Sequence, residues 1–128
     1  MKIMVVDDET DIQLLFRQRF RKEIKSGQFS FHYAFSGSDA LAYLECDEST
    51  ELVLILSDIN MPGMSRLELL KHIKASRPDI KIFMITAYDD AAKHDAALAY
   101  GADDYITKPI NFDGLKAKMI QALEAHEG

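Results

Sequence analysis

The chain has 128 residues, and its 21 acidic and 15 Lys or Arg residues give a formal net charge of −6 at pH 7. This length suits one domain that buries a core without disulfides. Cys46 is the single cysteine, which excludes an internal disulfide and a thiolate metal cage and fits a reducing compartment. The acidic balance argues against a duplex-binding surface, and the sequence shows neither a secretory signal nor an apolar run long enough to span a membrane.

Strand-like and helix-like segments alternate along the chain, which is typical of an α/β fold with a parallel sheet. The first and third strands are continuous apolar runs, as expected of strands buried on both faces. The second strand alternates aromatic and smaller residues, so it suits an edge position. The predicted strands cover residues 2–6, 29–35, 52–57, 80–86 and 104–107, and the predicted helices cover residues 10–25, 36–45, 65–77, 89–100 and 111 onward.

Capping signals delimit several of these helices. Ser65 and Glu68 have the spacing of a capping box before the third helix. Gly101 is the predicted C-cap of the fourth helix, and Asn111 is the predicted N-cap of the fifth. The apolar face predicted for the first helix consists of Ile12, Leu15, Phe16, Phe20 and Ile24.

The strict alternation predicts a single doubly wound (βα)5 domain that covers residues 1–128. Right-handed crossovers place helices on both faces of such a sheet. With the second strand at one edge, the five-stranded parallel sheet has the flavodoxin-like order 2-1-3-4-5. Its topological switch point then lies between the first and third strands, where ligands of open α/β sheets bind.

Polar or charged residues follow four of the predicted strands. Asp7 and Asp8 come after the first strand, Asp58 after the third, Thr86 ends the fourth, and Lys108 follows the fifth. Because the carboxyl ends of parallel strands meet at one edge, we expect these groups to converge. Carboxylate oxygens suit Mg²⁺, and an ammonium group suits phosphoryl oxygens. The convergence predicts a small site for a divalent cation and a phosphoryl group.

Each of these residues also has an ordinary structural explanation. Asp7 and Asp8 could only complement the dipole of the following helix. Thr86 could be an ordinary residue at the end of a strand, and Lys108 a solvated loop lysine. Each explanation is reasonable for one residue considered alone. The occurrence of all these residues at the ends of four predicted strands favours a shared site.

Four motifs together resemble the receiver domain of bacterial two-component response regulators, in order and at the family's spacing. The motifs are VDDE at 6–9, SDINMPGM at 57–64, ITA at 85–87 and GADDYITKP at 101–109. The resemblance extends from Lys2 to about His126. The stretch SDINMP followed by LELLK is also similar to the single-domain chemotaxis regulators.

The resemblance implies a phosphorylation site with Mg²⁺ as cofactor. Asp58 would be the phosphoacceptor and would take its phosphoryl group from a phosphohistidine. Asp8, Asp58 and the backbone carbonyl of Asn60 would hold the Mg²⁺ ion, and Asp7 would support its water shell. The domain would catalyse its own phosphoryl acceptance and dephosphorylation without being a conventional metabolic enzyme.

The resemblance also implies a conformational switch. Thr86 would donate its hydroxyl to a phosphoryl oxygen, Lys108 would pair with another, and Pro109 would follow a cis peptide bond. Tyr105 would be the switch aromatic, turning inward as Thr86 moves. The change would reach the surface formed by the fourth predicted helix, the fifth strand and the fifth helix.

The implied partners are a histidine kinase or histidine phosphotransfer protein and a downstream protein target or output domain. Direct nucleic acid binding, membrane association and a non-cytoplasmic location are not expected. Phosphorylation-dependent dimerisation stays open, as does the choice between a stand-alone regulator and the N-terminal receiver of a longer protein. Receivers often have Asp-Gly where this chain has Ser65-Arg66, so the choice of partner and the phosphoryl lifetime are open too.

Three other functions fit the sequence less well. A phosphatase or phosphotransferase of the haloacid dehalogenase type needs a second acid two residues after its nucleophile, where this chain has Asn60. A nucleotide- or flavin-binding domain is disfavoured because the sequence lacks a Gly-rich phosphate loop. A phospho-independent protein-binding scaffold is disfavoured by the presence of Asp8, Asp58, Thr86 and Lys108 together.

Overall fold

The structure is a computed structural model that describes the backbone of residues 1–46, 50–58, 66–86 and 102–127. Side chains are described for residues 1–46, 50–57, 68–85 and 102–123. The predicted helix over residues 89–100 and the predicted caps Ser65 and Gly101 lie outside the described residues.

Five strands and five helical segments are present in this part of the chain. The strands are β1 (Lys2–Val6), β2 (Ser30–Ala34), β3 (Leu52–Asp58), β4 (Lys81–Thr86) and β5 (Asp104–Thr107), and the helices are α1 (Thr10–Arg19), α2 (Arg21–Lys25), α3 (Gly37–Leu44), α4 (Arg66–Ser76) and α5 (Phe112–Glu127).

The strands form one parallel sheet in the order β2-β1-β3-β4-β5. This order confirms the predicted topology, with its switch point between β1 and β3. The strand predicted over residues 29–35 is shorter than expected, because Phe29 and Phe35 lie just outside β2.

Alternation along the strands divides the core between the two faces of the sheet. On one face, Met4 and Ile82 pack with Leu70 of α4. On the other, Val5 and Ile85 pack with Phe16 of α1. Buried helix residues therefore lie on both faces, which confirms the doubly wound prediction.

The first helix differs from its prediction. It is interrupted at Phe20, whose φ of −106° and ψ of 21° are not helical. A non-helical residue changes the rotation between the turns on either side of it, so the predicted apolar face is not continuous. Beyond the interruption, Ile24, expected on the buried face, is 38% exposed, whereas Glu23 is only 6% exposed. Leu15, also expected on the buried face, lies before the interruption and is 38% exposed as well.

Two helix starts carry side-chain caps. The Ser36 hydroxyl accepts a hydrogen bond from the Asp39 N–H at 3.0 Å before α3. The Asn111 side-chain oxygen accepts one from the Gly114 N–H at 3.1 Å, which confirms the predicted cap of α5. In the part of the chain that the structure describes, no helix has the length and apolar character needed to cross a membrane.

Candidate functional site

Asp7 and Asp8 follow β1 directly and have different surroundings. Asp7 is 3% exposed, and its N–H donates to the Ala34 carbonyl at 3.0 Å. One oxygen of its carboxylate accepts a hydrogen bond from the Glu9 N–H at 2.9 Å. Asp8 is exposed. Asp7 is thus fixed by main-chain contacts at the start of α1, and Asp8 is open to solvent.

The strand register aligns the candidate residues in rows across the sheet. Val6 pairs with Ser57, so Asp7 continues β1 into the row of Asp58. Asp58 pairs with Ile85, one residue before Thr86. Neighbouring strands lie about 4.8 Å apart, so adjacent residues of one row are close neighbours.

The next row joins the two remaining strands of the site. Thr86 pairs with Thr107, and Lys108 follows at once. Asp8, by the same continuation of β1, falls in the row of Thr86. The register therefore brings the backbones of Asp7, Asp8, Asp58, Thr86 and Lys108 to the carboxyl edge of four adjacent strands.

Lys108 and Pro109 form the segment that leaves this edge towards α5. The Lys108–Pro109 peptide bond is cis. Lys108 is half-buried, and Pro109 is exposed. The segment leads to Asn111, which caps α5.

Tyr105 lies half-buried on β5, the edge strand next to β4. The Lys118 ammonium of α5 lies 6.0 Å from the centre of its ring. Tyr105 lines a cavity of about 280 Å³ together with Thr107, Pro109 and Leu115. The tyrosine therefore has open space beside it, in contact with the segment that carries Lys108.

The donor chemistry at this edge fits Mg²⁺. Asp7 and Asp8 are two of the predicted acids, and Asp58 stands beside them by strand position. Mg²⁺ takes oxygen ligands and usually needs only one or two carboxylates, with waters completing its shell. Among the described side chains, no three His, Cys, Asp or Glu residues gather into a metal-binding group. The Asp58 side chain, the Thr86 side chain and Asn60 lie outside that set.

Sequence reasoning missed an ion pair between α2 and α5 in which the carboxylate is buried. The Lys116 ammonium donates to a Glu23 carboxylate oxygen at 2.6 Å, and the Glu23 side chain is 7% exposed. This hydrogen bond is the main reason that the pKa of Glu23 lies below its ordinary value, while burial acts in the opposite direction. The two residues are 93 positions apart, and no local pattern signals the contact.

Asp103 belongs to the GADDYITKP motif but lies at the amino ends of the strands, opposite the candidate site. Its carboxylate accepts hydrogen bonds from the Lys74 ammonium at 2.9 Å and from the Ile82 N–H at 2.8 Å. Its own N–H donates to the Ile82 carbonyl at 2.8 Å. Asp103 therefore joins α4 to the start of β4 and has no part in the candidate site.

Comparison with known proteins identifies the family. The family model of the response regulator receiver domain matches residues 3–120, so the chain belongs to this family. A receiver domain is a phosphorylation-dependent signalling domain of two-component signal transduction. Receiver domains generally bind Mg²⁺ at the phosphorylation site and interact with histidine kinases and output domains.

Individual relatives agree with this assignment. The chain is 33% identical over 119 residues to Response regulator MprA of Mycobacterium avium, covering 93% of this chain and 49% of that protein. It is 32% identical over 123 residues to a cyclic di-GMP phosphodiesterase of Thermotoga maritima, covering 96% of this chain and 31% of that protein. The chain thus spans half or less of the length of these curated relatives.

A solved structure extends the likeness to three dimensions. The CheY-like response regulator receiver domain protein from Methanospirillum hungatei has a TM-score of 0.85 and 32% sequence identity to this chain. The match covers 98% of this chain and 95% of that one.

Proposed function

We propose that the protein is a phosphorylation-controlled switch that accepts a phosphoryl group on Asp58. The donor is a phosphohistidine of a histidine kinase or a histidine phosphotransfer protein in the cytoplasm. The observation that carries the proposal is the strand register, which aligns Asp58 with Asp7 and sets Thr86 and Lys108 on the adjoining strands.

The chemical step is an in-line displacement at phosphorus. An Asp58 carboxylate oxygen forms the new P–O bond, the P–N bond to the donor histidine breaks, and the electron pair leaves on the imidazole. Asp8, Asp58 and the Asn60 carbonyl would hold Mg²⁺, with Asp7 supporting its water shell. The bound ion supplies positive charge against the phosphoryl oxygens.

The remaining residues stabilise and report the phosphorylated state. Thr86 donates its hydroxyl to one phosphoryl oxygen, and Lys108 pairs with another as a point charge. Tyr105 turns into the space that Thr86 leaves, and the surface that includes β5 and α5 changes its affinity for a downstream target or output domain. The half-buried position of Tyr105 on the edge strand β5, next to β4, supports this part of the proposal.

Intact-mass analysis tests the proposal directly. The protein is incubated with acetyl phosphate, with and without Mg²⁺, beside Asp58→Asn and the control Asp104→Asn, which changes a carboxylate paired with Lys118 away from the site. We expect a Mg²⁺-dependent, alkali-labile gain of one phosphoryl group in wild type and Asp104→Asn only. Normal labelling of Asp58→Asn would refute the assignment.

If no phosphoryl adduct is detected, a beryllofluoride titration distinguishes a site that hydrolyses its adduct quickly from a phospho-independent scaffold. A stable Mg²⁺-dependent complex supports a competent site that hydrolyses its adduct quickly. Failure of both acetyl phosphate and beryllofluoride would favour a phospho-independent scaffold.

A further inference from the structure

A basic and aromatic groove, here called the β2 groove, runs along the open edge of the sheet. It lies between the α1–α2 segment and β2 and encloses about 650 Å³. Its described lining includes three basic side chains, Arg17, Arg21 and Lys25, and no acidic one. Since the whole chain carries a net charge of −6, the groove is a local concentration of positive charge on an acidic protein.

Hydrogen bonds show which main-chain groups of β2 are already used. At one end of the β1–β2 pair, the Ser30 N–H donates to the Met1 carbonyl at 2.9 Å. At the other end, the Asp7 N–H donates to the Ala34 carbonyl at 3.0 Å. Because residues that bond to the same neighbour alternate along a parallel strand, the even-numbered residues of β2 bond to β1.

The odd-numbered residues of β2 therefore direct their N–H and C=O groups to the open edge. These residues are Phe31 and Tyr33, and their side chains also line the β2 groove. Within the described sheet, β2 pairs with β1 alone. An extended segment placed in the groove would thus meet a row of main-chain donors and acceptors.

Two of the basic residues that line the groove have a spacing close to that of alternate residues in a strand. Arg21 and Lys25 are four residues apart within α2, which is about 6 Å along a helix, and Arg17 lies on α1 beyond the interruption at Phe20. Alternate residues of an extended strand, which share one face, lie about 6.6 Å apart. Acidic residues at every second position of an added strand would therefore recur at an interval close to that between Arg21 and Lys25. Ile24, 38% exposed, adds an apolar surface between them.

We propose that the β2 groove binds an extended acidic segment of a partner protein, which adds to the sheet as a strand beside β2. Main-chain pairing with Phe31 and Tyr33 supplies affinity, and alternating acidic side chains supply specificity. The groove lies on the β2 side of β1, whereas β3, β4 and β5 lie on the other side. Binding is accordingly expected in the Asp58→Asn protein as well.

Fluorescence anisotropy on the full chain tests the charge pattern. The probe is a labelled eight-residue peptide in which Glu alternates with Val and Thr, compared with a peptide of the same composition whose Glu residues are contiguous. We expect saturable binding of the alternating peptide and at least about tenfold weaker binding to Arg21→Glu. Lys22→Glu is the matched control, because Lys22 is an exposed base on the same helix that does not line the groove.

Amide hydrogen exchange by NMR tests the strand addition itself. The Phe31 and Tyr33 amides should exchange quickly in the free protein and become protected with the alternating peptide, while the His32 amide is protected in both states. Absence of saturable binding at millimolar peptide would overturn the proposal, as would binding without this protection. Equal binding of the contiguous peptide or of a single-stranded oligonucleotide would also overturn it. Either result would show that the groove binds anions without regard to their spacing or backbone.

Discussion

At the scale of single residues, two adjacent aspartates have different surroundings. Asp7 is buried and accepts the Glu9 N–H, so its carboxylate helps to build the turn into α1. Asp8 is exposed at the same edge and is free to face a hydrated cation. The structural explanation of an acid at a helix start therefore holds in part for Asp7, and it does not compete with a metal role for Asp8.

Lys108→Ala separates phosphoryl uptake from the conformational response. We expect the variant to form the beryllofluoride complex but to lose most of the chemical-shift change that wild type shows at Tyr105, because the charge linking the phosphoryl group to β5 is missing. Two-dimensional NMR measures both effects, with Lys71→Ala, an exposed lysine of α4, as control. A Tyr105 response like that of wild type would remove Lys108 from the switch.

At the scale of elements, α2 is linked to α5 by the ion pair between Glu23 and Lys116. Lys116 lines one cavity together with Phe20 and Phe112, and the Glu23 carbonyl accepts a hydrogen bond from the Phe29 N–H at 3.2 Å. A buried carboxylate that loses its partner keeps its desolvation penalty. Removing only Lys116 should therefore lower the free energy of unfolding.

Lys116→Met should lower the free energy of unfolding by about 1–2 kcal/mol at pH 7, less than for a fully buried pair because Lys116 is 40% exposed. The pKa of Glu23 is lowered in the folded protein, so the pair stabilises above the ordinary glutamate pKa. This stabilisation disappears as the pH falls through the lowered pKa, so the two proteins should converge in acid.

Urea unfolding at several pH values measures this difference. Lys118→Met is the control, because its partner Asp104 is half-exposed and the pair should contribute under about 1 kcal/mol. Equal and pH-independent losses in both variants would contradict a special role for the Glu23–Lys116 pair.

At the scale of the whole molecule, an aromatic cluster joins the edge strand β2 to α1 and to the start of α5. The Phe16 ring is fully buried and lies 5.4 to 5.7 Å from the rings of Phe20, Phe31 and Phe112. Removing it leaves a cavity where α1, β2 and the start of α5 meet.

Phe16→Ala should lower the free energy of unfolding by about 3–5 kcal/mol. Phe35→Ala, at a ring that is 40% exposed, should change it by about 0.5 kcal/mol or less. Urea denaturation followed by circular dichroism measures both variants. A loss below about 1 kcal/mol for Phe16→Ala would show that the cluster does not join these elements into one cooperative unit.

The sequence by itself determined the strands, their parallel order and the row of polar residues that ends them. Apolar runs, turn residues and caps such as Asn111 are local signals, and short crossovers leave few topologies open. The tertiary structure alone decided that Leu15 and Ile24 are exposed and that Glu23 is buried against Lys116. It also decided that Asp103 connects α4 to the start of β4, away from the candidate site. Those outcomes depend on how segments distant in the chain meet, and periodicity within one segment carries no information about its partner.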